Sequence, residues 1–587
     1  MKDFVKYLLA TLCGFFIAGL CLFVGGILSL ACVMSAEPSA PSIQPHSALR
    51  LTLNGELLED TPDDPLGELL GSSYPTLSQK SILSAIRAAK ENADIEGIYI
   101  EAQNLFGAAP AMLREIREAL ADFKESGKYI IAYGDHYTQG CYYVCSVADR
   151  IILNPQGQVN WCGMASQPMF YKDLLEKVGV RMQVFKVGSY KSAVEPFTAT
   201  EMSEANREQV TSYLNDIWRT MLADVAESRH LDTARLNAYA DSMLTFSPAE
   251  ELVAKGMVDT LCHIDGVSRL LRDKTGKAKG MLPLVTVKEL AASTPQPKGK
   301  DGKIAIYNAY GDIVERRAEW DGDVIDAEKV CRDLKALRED EAVKAVVLRV
   351  NSGGGSAYAS EQIWYEVKLL REAKPVVVSM GGMAASGGYY ISCAADYIVA
   401  EPTTLTGSIG IFGLIPDASE LLREKLGLHF DVVKTNAHAD FGTPSRPFNP
   451  SEARMMQGYI QRGYELFIGR VAEGRKMETD EVQQLAEGRV WTGRQAVENG
   501  LADAQGGLQT AIREAARRAK LEDYGTEYGP APAPWYENLF GNIQKDYLNS
   551  SLRETLGSYY APLMNLGRIR HMDFLQARMP YEPNFIN

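Results

Sequence analysis

At 587 residues the chain is too long for one hydrophobic core, because single cores stop growing near ~250 to 300 residues, so at least two large domains are expected. With 46% hydrophobic and 23% charged residues and no long low-complexity block, it is a globular protein and not a disordered one. A net charge of -14 sets aside nucleic-acid binding, which needs a basic face to neutralise phosphates.

The first element is apolar. Lys2 and Lys6 precede an uncharged run of 28 residues from Tyr7 to Met34. As a helix rising ~1.5 Å per residue it would reach about 42 Å, enough to cross a ~30 Å hydrocarbon layer with tilt. A cleaved secretory signal has only ~7 to 15 apolar residues, so residues 1–36 are expected to form a retained transmembrane anchor. Ser29-Leu30-Ala31-Cys32 faintly resembles a lipoprotein cleavage box, with Ser where Leu is usual, and is the weaker alternative. Lysines before the span and none immediately after it place the N-terminus in the cytoplasm and everything from about Ser35 outside.

Pro/Ser/Gly-rich stretches at 35–46, 292–302 and 525–534 divide the remainder into domains at 47–291 and 303–520 and a C-terminal extension at 521–587. In the first block, β-branched runs at 97–100 and 128–133 read as strands, and amphipathic patterns at 81–92 and 111–124 read as helices. The second block repeats the order, with strands at 342–350 and 375–380 and helices at 327–339 and 361–372. Such alternation predicts an α/β fold of βαβ units around a parallel sheet. Outside the anchor there are six cysteines, Cys141, Cys145, Cys162, Cys262, Cys331 and Cys393. Their spacing matches neither a disulfide framework nor a paired zinc site, so they read as small buried hydrophobes.

The two blocks are copies. GCYYVCSVAD at 140–149 aligns with GGYYISCAAD at 387–396, an offset of 247 between Asp149 and Asp396. Helix-rich stretches at 203–229 and 451–475 also correspond, each after a Pro-Phe pair, Pro196-Phe197 and Pro447-Phe448. A tandem duplication follows. At this offset Ser386 falls on Gln139. Aligning Phe185-Lys186-Val187 with Val433-Lys434-Thr435 sets Lys191 opposite Ala439, after a small gap that softens the register. Each copy lacks what the other keeps.

Ser386 lies between a predicted strand and a predicted helix, among Ala384, Ala385, Gly387 and Gly388. Unpaired N–H groups at a helix start favour the negative charge of an acyl-transfer intermediate, and small neighbours leave the hydroxyl reachable. The plainer alternative is an N-cap serine. The run Ser352-Gly353-Gly354-Gly355-Ser356 can present backbone donors, or can be only a flexible turn. The N–H groups of Gly354 and Gly387 form the natural oxyanion pair, with Gly355 next in line. A serine nucleophile needs a base, and none of the seven histidines stands in a recognisable motif. Lys191 stands among few charges and several apolar residues. As a base its pKa would have to fall from about 10.4 to near pH 7 to 8 through burial; the plainer alternative is a snorkelling surface lysine.

Three motifs carry a resemblance: YKSAVEPF at 190–197, MAASGGYY at 383–390 and SGGGS at 352–356. In this order, behind an anchor and on a duplicated chain, they resemble the signal peptide peptidase A (protease IV) family in its long form. The resemblance implies tandem Clp-protease/crotonase-like domains and a serine endopeptidase with a Ser/Lys dyad, needing no cofactor or metal. Ser386 would be the nucleophile, Lys191 the general base and Ser408 the residue orienting the lysine amine, with Gly354 and Gly387 as oxyanion donors. It further implies hydrophobic peptide substrates, notably cleaved signal peptides, a homotetrameric bowl, and a single-pass protein of a bacterial inner membrane with a periplasmic catalytic part. Gly353 departs from the family's usual proline, which loosens the assignment among the glycines. The alternatives are a crotonase-like acyl-transfer enzyme and a catalytically silent membrane scaffold.

Overall fold

The computed structural model describes residues 6–7, 11, 13–22, 24–26, 43–61, 76–276, 280–294, 299–317, 324–529, 575–579 and 585–586. Runs such as Val346-Val347-Leu348 are apolar at every position and are buried on both faces, as parallel strands covered by helices require. In the first repeat Ser47–Leu58, Ile95–Phe106, Tyr129–Tyr137 and Arg150–Val159 lie side by side and parallel in a seven-stranded sheet. The second repeat rebuilds this frame from Lys303–Tyr310, Val343–Ser352, Val376–Ala385 and Tyr397–Ala400 in an eight-stranded sheet.

The helices follow the same plan. Ala327–Glu339 starts where the Asp326 carboxylate caps the N–H of Lys329, and it buries Val330 and Leu334 on one face. The long helices Glu204–Arg229 and Pro450–Arg475 have 26 residues each, are capped by Ser203 and Asn449, and end on left-handed His230 and Lys476.

A third, six-stranded sheet joins the halves. Its order is Val324–Asp326, Asp312–Val314, Gly354–Ser356, Gln576–Arg578, Phe412–Asp417 and Arg181–Lys186. Arg181–Lys186 of the first repeat pairs antiparallel along the whole of Phe412–Asp417 of the second. From the second repeat's own sheet the buried guanidinium of Arg349 grips two first-repeat carboxylates, Glu59 at 3.0 and 3.2 Å and Glu115 at 2.7 and 3.0 Å. The repeats are therefore cross-braced by backbone and by charge.

The extension read from residue 521 onward is divided among three sheets, with Phe585–Ile586 pairing with Ala165–Ser166 in a separate two-stranded one. Gly525–Gly529 continues the second repeat's sheet beside Lys303–Tyr310, and Gln576–Arg578 enters the third. Of the six cysteines, Cys141, Cys145 and Cys393 are buried; Cys262 and Cys331 are half-buried, and Cys162 is exposed. Among the described residues no helix is long and apolar enough to cross a membrane, and much of the 7–34 stretch falls outside them.

Candidate active site

The strand Val376–Ala385 ends on Ser386, and the helix Gly387–Ser392 begins directly after it. Ser386 has φ 54° and ψ -111°, a left-handed conformation that costs a non-glycine residue on the order of 1 to 3 kcal/mol. Its N–H, bonded to the Gly407 carbonyl at 2.8 Å, holds it there. Contrary to the N-cap alternative, its side chain makes no capping bond. The hydroxyl turns instead to Lys191, whose Nζ is 2.8 Å from Ser386 Oγ. Gly387 and Gly388 are required by close approach: a Cβ on the first would lie 2.7 Å from Ser360 Oγ, and one on the second 2.6 Å from the Ser352 carbonyl oxygen.

Lys191 arrives from the other repeat, on the loop that follows Arg181–Lys186. It is wholly buried, as are Ser386 and Ser408. Besides Ser386, its Nζ contacts the Ser408 carbonyl oxygen at 2.9 Å and Ser408 Oγ at 3.0 Å. Burial pushes the ammonium well below its ordinary value, because a charge taken out of solvent loses its hydration. A neutral amine has two N–H groups and one lone pair. Donating both to Ser408 leaves the lone pair for the Ser386 hydroxyl, which is the geometry of proton abstraction. Ser408 is itself held in a left-handed conformation, φ 49°, with its N–H on the Arg489 carbonyl at 2.7 Å.

Gly354 and Gly387 lie side by side. A Cβ on Gly354, where φ is +100°, would be 2.7 Å from the Gly387 nitrogen. The Gly354 N–H, however, donates to Ser352 Oγ at 3.1 Å, and Gly355 pairs with Ala577 of the C-terminal strand. Gly387 is thus the better placed of the two donors.

Sequence reading missed the residues that set the lysine. Gly488 has φ +80°, and a Cβ there would come within 2.7 Å of Lys191 N, Cα and Cβ. Gly410 lies against the lysine stem, where a Cβ would be 3.2 Å from Cδ. The Glu487 carbonyl accepts from Tyr190 N–H at 3.0 Å, and its carboxylate accepts from Ser189 Oγ at 2.7 Å. Gln209 bridges the halves, donating to the Tyr190 carbonyl and accepting from Val490 N–H, each at 3.1 Å. None of these stands in a motif; two isolated glycines were the sole signal.

The first repeat has filled its equivalent corner. Gln139, opposite Ser386, accepts from the N–H groups of Cys162 and Gly163 at 3.0 Å each and donates to the Gly163 carbonyl at 2.9 Å. Ala439, opposite Lys191, lies exposed on a turn. Among the described residues no group of three or more His, Cys, Asp or Glu side chains is arranged to hold a metal.

Comparison with known proteins matches each half. A family model described as Peptidase family S49 fits residues 122–277 and again 368–522, and a Clp protease model fits 307–404. The chain is 39% identical over 500 residues to Protease 4 of Salmonella typhi, which covers 82% of this chain and 80% of that protein. It is 35% identical over 517 residues to Protease 4 of Haemophilus influenzae, with 84% and 83% covered. To the chloroplastic serine protease SPPA of Arabidopsis thaliana it is 32% identical over 488 residues, with 82% and 70% covered.

Proposed function

Because the chain belongs to peptidase family S49 and is a serine protease, we propose that Ser386 is its nucleophile, Lys191 its general base and Ser408 the group that orients the base. The observation that carries this reading is the 2.8 Å contact between Lys191 Nζ and Ser386 Oγ, two side chains that are both wholly buried. Neutral Lys191 accepts the hydroxyl proton as Oγ attacks a peptide carbonyl. The resulting ammonium stays bonded to both Ser408 oxygens until it protonates the departing amine. The developing oxyanion is met by the Gly387 N–H at the start of its helix, with Gly354 as second donor once a substrate carbonyl displaces the Ser352 hydroxyl. Water activated by the same lysine then releases the acyl group.

The substrates are hydrophobic peptides, notably cleaved signal peptides, and the enzyme works outside a bacterial inner membrane to which residues 1–36 tether it. The motif resemblance and the uncharged 28-residue stretch support both statements. A ring of copies is supported by the duplication. Arg181–Lys186 is zipped to Phe412–Asp417, but its counterpart one repeat later, near 429–434, pairs with no strand among the described residues. It leaves Phe430, Val432 and Val433 exposed by 45, 50 and 97%. The counterpart of Phe412–Asp417 is 165–170, of which only Ala165–Ser166 is paired, with Phe585–Ile586. Each chain can therefore dock its free edge on the next and close a head-to-tail ring, four copies by family resemblance.

Ser386→Ala and Lys191→Ala test the dyad. Each is expected to lower kcat by about 10⁶-fold, the scale of a lost nucleophile or base in a serine protease. A Lys191→Ala chain that kept full peptidase activity, and still reacted with a serine-directed acylating probe, would sink the assignment; an unreactive Ser386 in the assembled wild type would point to a silent scaffold.

A further inference from the structure

Lys191 Nζ stands between two hydroxyls that come from the other repeat, yet the lysine itself belongs to no strand and no helix. One amide holds its loop from within. Gln209, six residues past the N-cap Ser203 on Glu204–Arg229, is 1% exposed and uses both ends of its side chain. Its Nε2 donates to the Tyr190 carbonyl at 3.1 Å and to Ser192 Oγ at 3.2 Å, so it grips the residues on either side of Lys191. Nε2 also lies 3.1 Å from Asn206 Oδ1. Its Oε1 accepts from the N–H of Val490, in the second repeat, at 3.1 Å.

Val490 is a telling partner. It stands opposite Gly407 in an antiparallel pair, and the Gly407 carbonyl accepts the N–H of Ser386 at 2.8 Å. The carbonyl of its neighbour Arg489 accepts the N–H of Ser408 at 2.7 Å. Base, nucleophile and orienting hydroxyl are thus registered against one another through a single side chain. Two observations separate this from ordinary packing between the repeats. On the same helix Asp216 also binds the second repeat, accepting from Thr492 Oγ1 at 2.5 Å and pairing with Arg494, but among the described residues it makes no hydrogen bond or ion pair to the lysine loop. The second repeat, with Ala439 opposite Lys191, carries Met455 six residues past the cap Asn449 of its own 26-residue helix, and that side chain is exposed. The amide is present in the copy that has a lysine to place.

We propose that Gln209 is a positioning residue for the reaction: by tying the Lys191 loop to the Val490 strand it keeps Nζ within reach of Ser386 Oγ, and its loss slows proton transfer without weakening peptide binding. This rests on Lys191 being the general base. The bonds of Gln209 end one residue short of Lys191 on either side, so it takes no part in the proton transfer itself.

Gln209→Met, which keeps the length of the side chain and removes its donor and acceptor, is compared with Asp216→Asn in the full chain, by steady-state kinetics on a fluorogenic peptide and by thermal melts. Gln209→Met is expected to lower kcat about 30-fold with KM within twofold. That is short of the about 10²-fold cost of a 1 Å misplacement, because the Tyr190 N–H stays bonded to the Glu487 carbonyl. Asp216→Asn is expected to lower the melting temperature at least as far and to leave kcat within threefold. On a Ser408→Ala background Gln209→Met should cost only about 3-fold more, since residues that act through one amine are not additive. Equal losses of kcat in the two single variants, full additivity with Ser408→Ala, or a folded Gln209→Met enzyme within twofold of wild type would each overturn the proposal. If Gln209→Met does not fold, Gln209→Asn decides. Its amide is one methylene too short to reach both Tyr190 and Val490, so kcat is expected to fall about 10-fold, and a loss below twofold overturns the proposal equally. Lys191→Ala separates the two readings. If it stays active, the assignment of the base has failed. If it is inactive while Gln209→Met keeps its rate, only the positioning role has failed.

Discussion

Gly488→Ala probes how tightly the lysine must be held. At φ +80° an L-residue costs roughly 1 to 2 kcal/mol. The new Cβ would sit 2.7 Å from Lys191 N, Cα and Cβ, where ordinary contact begins at 3.4 Å, and backbone atoms cannot rotate away. The Lys191 loop or the 487–489 turn must therefore retreat by several tenths of an ångström, carrying Nζ away from Ser386. A misplacement approaching 1 Å costs about 10²-fold in rate. We expect kcat to fall by about that much, with KM little changed and the melting temperature lowered by a few degrees. Gly500→Ala is the control: φ there is +81°, but the added Cβ meets only Met477 Cε at 4.0 Å, so the backbone cost is shared and the lysine is not disturbed. Steady-state kinetics and thermal melts on both variants are compared. Equal losses of activity in the two, or a Gly488→Ala enzyme within twofold of wild type, would refute the argument.

Lys191→Met is expected to be inactive yet more stable. The unfolded lysine keeps a pKa near ~10.4 and the folded one is depressed by burial, so between those values the unfolded chain holds the extra proton and wild-type stability rises with pH. The variant's advantage in melting temperature should shrink as pH climbs toward ~10.4, and a constant difference would count against a buried neutral lysine. For the same reason kcat/KM should fall as pH drops through the depressed lysine value, and Ser408→Ala should move that limb as well as lowering kcat by about 10-fold, which loss of a merely structural hydroxyl would not do. Arg349→Met strands Glu59 and Glu115 between the repeats and is expected to cost roughly 3 to 5 kcal/mol, which denaturant melts check. Val432→Pro removes a backbone donor from the exposed edge near 429–434, and light scattering should show smaller assemblies.

Helices and strands were legible in this sequence because their signals are local. The apolar run at 342–350 and the amphipathic stretch at 327–339 each state their own periodicity, and the structure places Val343–Ser352 and Ala327–Glu339 there. The duplication was legible for the same reason, as GCYYVCSVAD and GGYYISCAAD are contiguous. Ser386 could be singled out by its small neighbours, but not its left-handed backbone, which the Gly407 carbonyl and the adjoining strand impose. Lys191 was nearly silent: a lone lysine acquires meaning only through burial, and the loop that carries it is placed by Arg181–Lys186 pairing with Phe412–Asp417, far beyond any sequence window. Gly488, nearly three hundred positions away from the lysine it accommodates, carried no motif. The C-terminal strand was featureless for a further reason: backbone-to-backbone pairing asks almost nothing of side chains, so Gln576–Arg578 can join the third sheet without leaving a pattern. Local chemistry thus wrote the elements and the serine into the sequence, while Lys191 meets Ser386 only where long-range pairing closes the two repeats on each other.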